Sequence, residues 1–420
     1  MEKLVIEGNR PLKGEIQISG SKNATLPILA ATLLTDDPCV IRNVPHLRDT
    51  FTMIKLLHSL GKNVDFTGNT LTITSNGSPQ SFADYALVST MRGSFCVLGP
   101  LLAKMKQAKV SLPGGCVIGV RPVDLHMKGL KSLGAKMHIE NGYVCADAKE
   151  LVGQHIYLGG DFGPSVLATA NVMMAAVLAK GETVIASAAC EPEMEDLARC
   201  LKAMGADIEG IGSPGLTIRG VKALHGVEYD IIPDRIEAGT YIVLAAATKG
   251  HLTLRHVNAG HLLALIDKLT EVGVKFKIEG DTMWIRSTTS YQPTSVTTYP
   301  YPGFPTDLQA QFMALMALTP GVSIITDKVF PDRFIHIAEL NRMGANIRRD
   351  GNTAIIEGVK VLYGAPVMAS DLRASAALVI AGLAAKGKTE IHRIYHLDRG
   401  YEDLDAKLTA LGATVYREQE

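Results

Sequence analysis

The 420-residue sequence lacks an excess of charge of either sign, a paired-cysteine metal motif, and any apolar run long enough to cross a bilayer. Its 42 basic residues balance 42 acidic ones, which removes the global field that draws a protein to nucleic acid or to an anionic membrane surface. No nucleic-acid or membrane partner is expected, and local clusters must carry any recognition of charged ligands. The six cysteines (Cys39, Cys96, Cys116, Cys145, Cys190 and Cys200) show no Cys-x-x-Cys or related spacing, so no metal site is expected. The N-terminal MEKLVIEGNRPLKG has neither the basic start and apolar run of a signal peptide nor the Arg-rich pattern of a transit peptide, which predicts a cytoplasmic protein with reduced thiols. Apolar stretches such as ASAALVIAGLAA (374–385) stop well short of the roughly 20 residues a membrane span needs and read as buried helices.

What the chain does have is repetition. The segments LHSLGKNV, LKSLGAKM, LKAMGADI, LTEVGVKF, LNRMGANI and LTALGATV share a pattern of leucine, apolar residue and glycine. Their glycines, Gly61, Gly134, Gly205, Gly273, Gly344 and Gly412, recur at intervals of 68 to 73 residues, so six units of one design fill the chain. Each copy closes a helix with one apolar stripe, as in Leu197, Cys200, Leu201 and Met204, and the glycine supplies the C-terminal stop. Upstream in each unit lies a second segment that is apolar all round (NATLPILAATLL, GSFCVLGPLLAKM, VLATANVMMAAVLA, AGTYIVLAAAT, LQAQFMALMALT and ASAALVIAGLAA), which predicts a buried inner helix. After each glycine, alternating residues flank turn pairs such as Gly68-Asn69 and Asn141-Gly142 and read as hairpins.

The sixth unit ends at GATVYREQE without a return strand, while the N-terminal KLVIEGNRPLKGEIQI matches the phase of the fifth unit's AIIEGVKVLYGAPVMA. The start of the chain is therefore expected to complete its end. The fold class is α/β in two domains of three units each. One is a discontinuous domain of residues 1–21 plus 233–420, and the other is an inserted domain of residues 22–232. Inner helices surrounded by sheets and half-exposed helices follow from the burial pattern, and a cleft between the domains is the expected ligand site.

Polar residues recur at two positions of the repeat. Immediately before or at the start of the inner helices stand Lys22 with Asn23, Arg92, Ser165, Asp234 to Glu237, Asp307, and Asp371 with Arg373. Before the half-exposed helices stand Arg48, Cys116 with Arg121, Glu191 with Glu193, the uncharged NAGH (258–261), Arg333 and Arg399. Singly these read as helix caps and solvated loop charges. Taken together, Lys22, Arg92, Arg121, Arg333, Arg373 and Arg399 are six cations at equivalent corners of a neutral protein, and helix N-termini add partial positive charge there, so a polyanionic substrate is expected. Asp307 is an acid where the other units mostly offer cations or neutral groups. Its position in FPTDLQAQ suits a helix cap and a general base equally, Asp124 and Asp371 share the ambiguity, and His126 reads as an ordinary helix-start polar residue.

Two formal motifs carry no phosphate site. GLAAKGKT (382–389) fits the P-loop pattern but runs from helix into strand, the wrong order for cradling phosphate. GIGSPG (210–215) fits the dinucleotide fingerprint but joins two short strands. Cys96 and Cys200 fall in apolar helical patterns and read as packing residues. Cys116 does not, because SLPGGCVIGVRPVDLH sets it in a Pro-Gly-Gly turn near Arg121, where paired glycines suggest a mobile lid.

SGSKNATLPILAATLL, PGGCVIGVRPVDLH, IIPDRIEAGT, YPGFPTDLQAQFM, FPDRFIHIAELNRMGA, DLRASAALVIAGLAA and HLDRGYE, in this order over the full chain, resemble the signature segments of the UDP-N-acetylglucosamine 1-carboxyvinyltransferase family, enolpyruvyl transferases of the EPSP synthase-like superfamily. The resemblance implies a two-domain inside-out α/β barrel. It also implies transfer of the enolpyruvyl group of phosphoenolpyruvate to the 3′-hydroxyl of UDP-N-acetylglucosamine, releasing phosphate, as the first committed step of peptidoglycan synthesis, with no metal or organic cofactor. Cys116 matches the loop cysteine that protonates C3 of phosphoenolpyruvate, and a thiol with an ordinary pKa of about 8.5 is mainly protonated at neutral pH. Asp307 matches the acid that deprotonates the sugar hydroxyl. Lys22, Arg121 and Arg399 match contacts to the phosphate of phosphoenolpyruvate, and Arg333 and Arg373, with Asp371 beside them, match groups around its carboxylate. Asn23, Arg92, Arg121, Pro122, Val123, Asp124, Leu125, Ser165, Val166, Asp307 and Val329 match positions that hold UDP-N-acetylglucosamine.

The sequence departs from the family pattern at one place. It has Ser165-Val166-Leu167-Ala168-Thr169-Ala170 where members usually have Ser-Val-Gly-Ala-Thr and a polar residue, and Gly163 where some have lysine. Two other readings compete. The sister enzyme acting on shikimate 3-phosphate shares the fold but not the loop cysteine or the SGSKNATLPILAA form of the first motif. A non-catalytic nucleotide-sugar-binding module would need neither Cys116 nor Asp307.

Overall fold

The structure, a computed structural model, describes residues 2–114, 123–288 and 290–420, so Cys116, Arg121 and Pro122 lie outside the described residues. The six-unit pattern appears as six four-stranded sheets with one strand order. In the second unit, Phe82–Ala83 runs parallel to Gln107–Ser111, which is antiparallel to Tyr143–Asp147, itself the hairpin partner of Lys136–Glu140. The hairpins turn where the sequence places its turn pairs. Thr67 pairs with Thr70 across Gly68-Asn69, and Glu140 pairs with Tyr143 across Asn141-Gly142.

The chain start supplies what the sixth unit lacks. Glu2–Glu7 pairs on one side with Thr414–Gln419 and on the other with Lys388–His392, and Lys13–Gln17 then runs parallel to His251–Arg255 in the fourth unit's sheet. The first unit's sheet is completed from far along the chain, where Glu228–Asp230 runs parallel to Cys39–Arg42. The described chain divides into two compact units, one of residues 2–19 and 233–420 and the other of residues 20–114 and 123–232.

Each unit has its own apolar core. In the first, the inner helices Arg235–Ala247, Gln309–Met316 and Leu372–Ala384 pack on one another, and nearly every residue in them is buried because they are apolar on all sides. The second unit holds Lys22–Ala31, Leu98–Met105 and Val166–Ala176 in the same role, with a 3-10 turn at Arg92–Val97 leading into the second of these. The strands alternate buried and exposed residues, so each sheet turns one face to the core, as in Val144 and Ala146 of Tyr143–Asp147. None of the sheets closes on itself, so the arrangement resembles a barrel only in that helices fill the middle and sheets lie outside. No described helix is long and apolar enough to cross a membrane.

One polar side chain pins the second unit's core. Asn171 Oδ1 accepts from Gly99 N at 2.6 Å, and its Nδ2 donates to Phe95 O at 3.0 Å and to His126 Nδ1 at 2.9 Å. The two backbone groups fix the amide orientation, so His126 Nδ1 must be an acceptor and the ring proton sits on Nε2. Gly99 permits the contact, since a Cβ there would lie 2.2 Å from the backbone oxygen of Asn171. His126 is therefore not the ordinary helix-start residue the sequence suggested. It is buried, edge-on to Phe95, because it occupies the inward stripe of its helix with Leu130.

The two formal phosphate motifs resolve as helix stop and hairpin. The inner helix ends at Ala384 and is followed by the strand Lys388–His392, while Asp207–Glu209 pairs directly with Gly215–Arg219. Cys39, Cys96 and Cys200 are buried, and burial pushes the Cys96 thiol up to about 12, which leaves it inert.

Candidate active site

Within the first unit, three corners of the repeat bring predicted residues together. Asp307 lies in the 3-10 turn Thr306–Leu308 that opens the inner helix Gln309–Met316. Both of its carboxylate oxygens are engaged by arginines. Arg333 Nη1 donates to Asp307 Oδ1 at 2.7 Å, and Arg373 Nε donates to Oδ2 at 3.3 Å. Arg333 Nη2 also lies 3.8 Å from Asp371 Oδ1. Asp371 is the cap of its helix, accepting from the backbone N–H of Arg373 and Ala374 at 2.8 and 3.1 Å.

The electrostatics of this cluster follow from burial. The Asp307 side chain keeps 25% of its exposure, while that of Arg333 keeps 5% and that of Arg373 none. Burial opposes the charge on both guanidiniums. For Arg333 the carboxylates of Asp307 and Asp371 outweigh burial, and for Arg373 the groups that do so are Tyr401, Asp307 and Asp234, so both pKa values lie above the ordinary arginine value. Arg373 also sits over the Tyr401 ring, 5.4 Å from its centroid, and Tyr401 is held in turn by Thr240 and Gln311. The terminal nitrogens of Arg373 are incompletely satisfied among the described residues: none has a well-directed acceptor, although Nη2 lies 3.3 Å from Asp307 Oδ2 and the guanidinium also interacts with the Tyr401 hydroxyl. A buried fork with incompletely satisfied N–H donors beside a partly open carboxylate is suited to a second, incoming carboxylate.

Arg399 ends the 3-10 segment Ile394–Arg399 and is half-buried. The turn after it packs on Arg373, and Gly400 allows this, since a Cβ there would lie 1.9 Å from Leu372 Cδ1. Val329 is half-buried, and its backbone N–H donates to Asp327 Oδ1 at 3.0 Å. His336 is buried nearby in the chain, and burial, opposed by the Asp371 charge and aided by that of Arg333, pushes its pKa down to about 4.

The second unit holds the other described candidates. Lys22 opens its inner helix, is buried, and pairs with Asp49 Oδ2 at 2.9 Å. Asp49 comes from the half-exposed helix Arg48–Ser59 and is itself buried. Arg92 opens its 3-10 turn half-buried, and its charge adds to the burial that pushes His126 down to about 3. Ser165 caps its inner helix through Ala168 N at 3.3 Å, with Val166 half-buried as the first helical residue. Asn23 and Leu125 are half-buried, Val123 is buried, and Asp124 is exposed at the start of a helix it does not cap. One group of possible metal ligands, His138, Glu140 and Cys145, lies on the second unit's hairpin and includes none of these residues.

Sequence reasoning passed over Asp49, Thr306, Asp327, Gln311 and Tyr401. A signal for Asp49 was present, since a lysine at the head of an all-apolar helix needs a partner to be buried, and an acid beside the repeat-equivalent Arg48 can supply it.

Comparison with known proteins identifies the family of the chain. The EPSP synthase (3-phosphoshikimate 1-carboxyvinyltransferase) family profile matches residues 6–408. UDP-N-acetylglucosamine 1-carboxyvinyltransferase of Methylacidiphilum infernorum is 53% identical over 417 residues, covering 99% of each chain. That of Lawsonia intracellularis is 52% identical over 420 residues, covering 100% of each. The enolpyruvyl transferase NikO from Streptomyces tendae superposes with a TM-score of 0.90 at 25% identity over 99% of this chain and 98% of its own. EPSP synthase from Acinetobacter baumannii shares the fold, with a TM-score of 0.75 at 19% identity over the whole of both chains. The chain thus belongs to the EPSP synthase family and, within it, to the UDP-N-acetylglucosamine 1-carboxyvinyltransferases.

Proposed function

We propose that this protein transfers the enolpyruvyl group of phosphoenolpyruvate to the 3′-hydroxyl of UDP-N-acetylglucosamine and releases phosphate. The observation that carries the chemistry is Asp307, a partly open carboxylate between Arg333 and Arg373, with the terminal N–H groups of Arg373 incompletely satisfied. The carboxylate of phosphoenolpyruvate takes up those donors and competes with Asp307 for them. This exchange frees an Asp307 oxygen to receive the proton of the sugar hydroxyl.

In the addition step, the thiol of Cys116 gives its proton to C3 of phosphoenolpyruvate, C2 gains cationic character, and the hydroxyl oxygen bonds to C2 as its proton passes to Asp307. The resulting ketal carries phosphate, carboxylate and sugar on C2. In the elimination step, the Cys116 thiolate takes a proton back from C3, the double bond re-forms, the C2–O bond to phosphate breaks, and the departing phosphate takes the proton held by Asp307. Lys22, Arg121 and Arg399 neutralise the departing phosphate, and the fixed guanidiniums stabilise charge without reorganising as it develops. Asn23, Arg92, Val123 to Leu125, Ser165, Val166 and Val329 hold the nucleotide sugar. The reading keeps a cytoplasmic location, where phosphoenolpyruvate is available.

The test is a substrate swap. Phosphate release from phosphoenolpyruvate is expected with UDP-N-acetylglucosamine and not with shikimate 3-phosphate. Release with the shikimate acceptor, or with none, refutes the assignment, and full turnover by Cys116→Ala refutes the role of the thiol.

A further inference from the structure

Asp327 is the last residue of the strand Val322–Asp327, fully buried, and it is not among the groups assigned above to substrate or to proton transfer. Its two carboxylate oxygens accept four hydrogen bonds. Oδ1 accepts from Thr298 Oγ1 at 2.7 Å, Val329 N at 3.0 Å and Phe330 N at 2.8 Å, and Oδ2 accepts from Thr306 Oγ1 at 2.7 Å. Its backbone is tied as well, with N–H donating to Asn352 O at 2.9 Å and the carbonyl accepting from Asn352 Nδ2 at 3.2 Å. A group held at so many points has one orientation.

The consequence runs through Thr306. An ionised carboxylate only accepts, so the Thr306 hydroxyl proton must point at Asp327 and its lone pairs must face the other way. There they accept from Arg333 Nη1 at 3.2 Å, and the same nitrogen donates to Asp307 Oδ1 at 2.7 Å. The chain Asp327, Thr306, Arg333, Asp307 therefore has a single hydrogen-bond direction set by the buried acid at its far end. Thr306 is also the chain neighbour of Asp307, and Oδ1 of Asp327 shapes the Val329–Phe330 turn.

We propose that Asp327 is a positioning residue for the reaction, aiming Arg333 and the Asp307 carboxylate through the Thr306 hydroxyl while holding the turn that carries Val329. This rests on the enolpyruvyl-transfer reading above. Thr306→Val keeps the shape of the side chain and removes the relay. Thr306→Ser keeps the relay. Asp327→Asn reverses its direction, because the amide has a single acceptor oxygen and its NH2 would donate to Thr306, turning the hydroxyl proton toward Arg333.

The experiment measures steady-state phosphate release from phosphoenolpyruvate and UDP-N-acetylglucosamine across pH, with the melting temperature of each variant. Thr306→Val is expected to lose about tenfold or more in kcat with KM for either substrate changed less than about threefold, and to shift the acid limb of its pH profile. Thr306→Ser is expected to stay within about twofold of wild type, and Asp327→Asn to lower kcat and raise KM for the nucleotide sugar. A folded Thr306→Val with wild-type kcat and pH profile overturns the proposal, as does a Thr306→Ser as slow as the valine variant. If Asp327→Asn fails to fold, the threonine pair alone decides. Wild-type protein inactive with these substrates would overturn the underlying reading and the proposal with it, whereas active wild type with unaltered variants overturns the proposal alone.

Discussion

Replacing His126 with asparagine should change how the second unit responds to acid. In the native structure His126 Nδ1 accepts from Asn171 Nδ2 at 2.9 Å, so a proton on Nδ1 would face an amide donor rather than an acceptor. Burial, with the Arg92 charge adding to it, pushes the pKa down to about 3, against an ordinary value near 6.5. Because the folded value is the lower one, the unfolded chain takes up this proton first as pH falls. The stabilisation is complete above about pH 6.5 and is lost progressively toward pH 3. At about 1.36 kcal/mol per pH unit, acidification from pH 7 to pH 5 should cost the unit about 2 kcal/mol through His126.

A second group in the same unit has the opposite sign. Burial, partly offset by the Tyr229 hydroxyl at 2.6 Å, raises Asp196 to about 6, so the folded unit takes up that proton first and gains about 1 kcal/mol over the same interval. In wild type the Asp196 gain offsets only part of the His126 loss. His126→Asn keeps an acceptor at the Nδ1 position and cannot titrate, so only the Asp196 gain should remain. Denaturant titrations at pH 7 and pH 5, followed by hydrogen exchange at the Gly99 amide that bonds Asn171, should show wild type losing about 2 kcal/mol relative to the variant. Parallel pH dependences for the two proteins would refute the buried-acceptor argument.

Asp307→Asn should lower kcat by about a hundredfold or more in phosphate-release assays, since the amide cannot take the hydroxyl proton; a loss below tenfold would assign the base elsewhere. Arg373→Lys preserves the charge but not the planar fork over Tyr401, so KM for phosphoenolpyruvate should rise about tenfold, and an unchanged KM would show that point charge suffices. Asp49→Asn removes the carboxylate 2.9 Å from the buried Lys22 ammonium and should cost about 3 kcal/mol by denaturant titration, with a cost under 1 kcal/mol meaning that the pair is solvated. Gly99→Ala places a Cβ 2.2 Å from Asn171 O and should lower the melting temperature of the second unit by several degrees, a shift that Leu98→Met should not match.

Much of the architecture was legible because it repeats. A helix-stop glycine needs positive φ, and Gly61, Gly134, Gly205, Gly273, Gly344 and Gly412 all have it, between 90° and 111°. The all-round apolar segments could satisfy their surfaces only in a core, and the missing return strand of the last unit required another part of the chain to pair with Thr414–Gln419. His126 was misread because it was weighed alone; placed on the helix period with Val123, Leu130 and Leu133, it falls on the buried stripe.

The site was legible only as a set of charges, and a sequence counts charges without giving distances. The six cations suggested a basic surface awaiting an anion, yet at least three of them are already matched within the described residues. Lys22 is paired with Asp49, and Arg333 and Arg373 share Asp307. The matching follows from the same burial that makes the cations useful, since an unpaired ammonium or guanidinium at a helix N-terminus inside a core would be costly. In the proposed reaction, phosphoenolpyruvate therefore exchanges with a protein carboxylate rather than filling an empty electrostatic well. Affinity is lowered by that competition, and the acid displaced from the guanidiniums is the one the chemistry needs as a base.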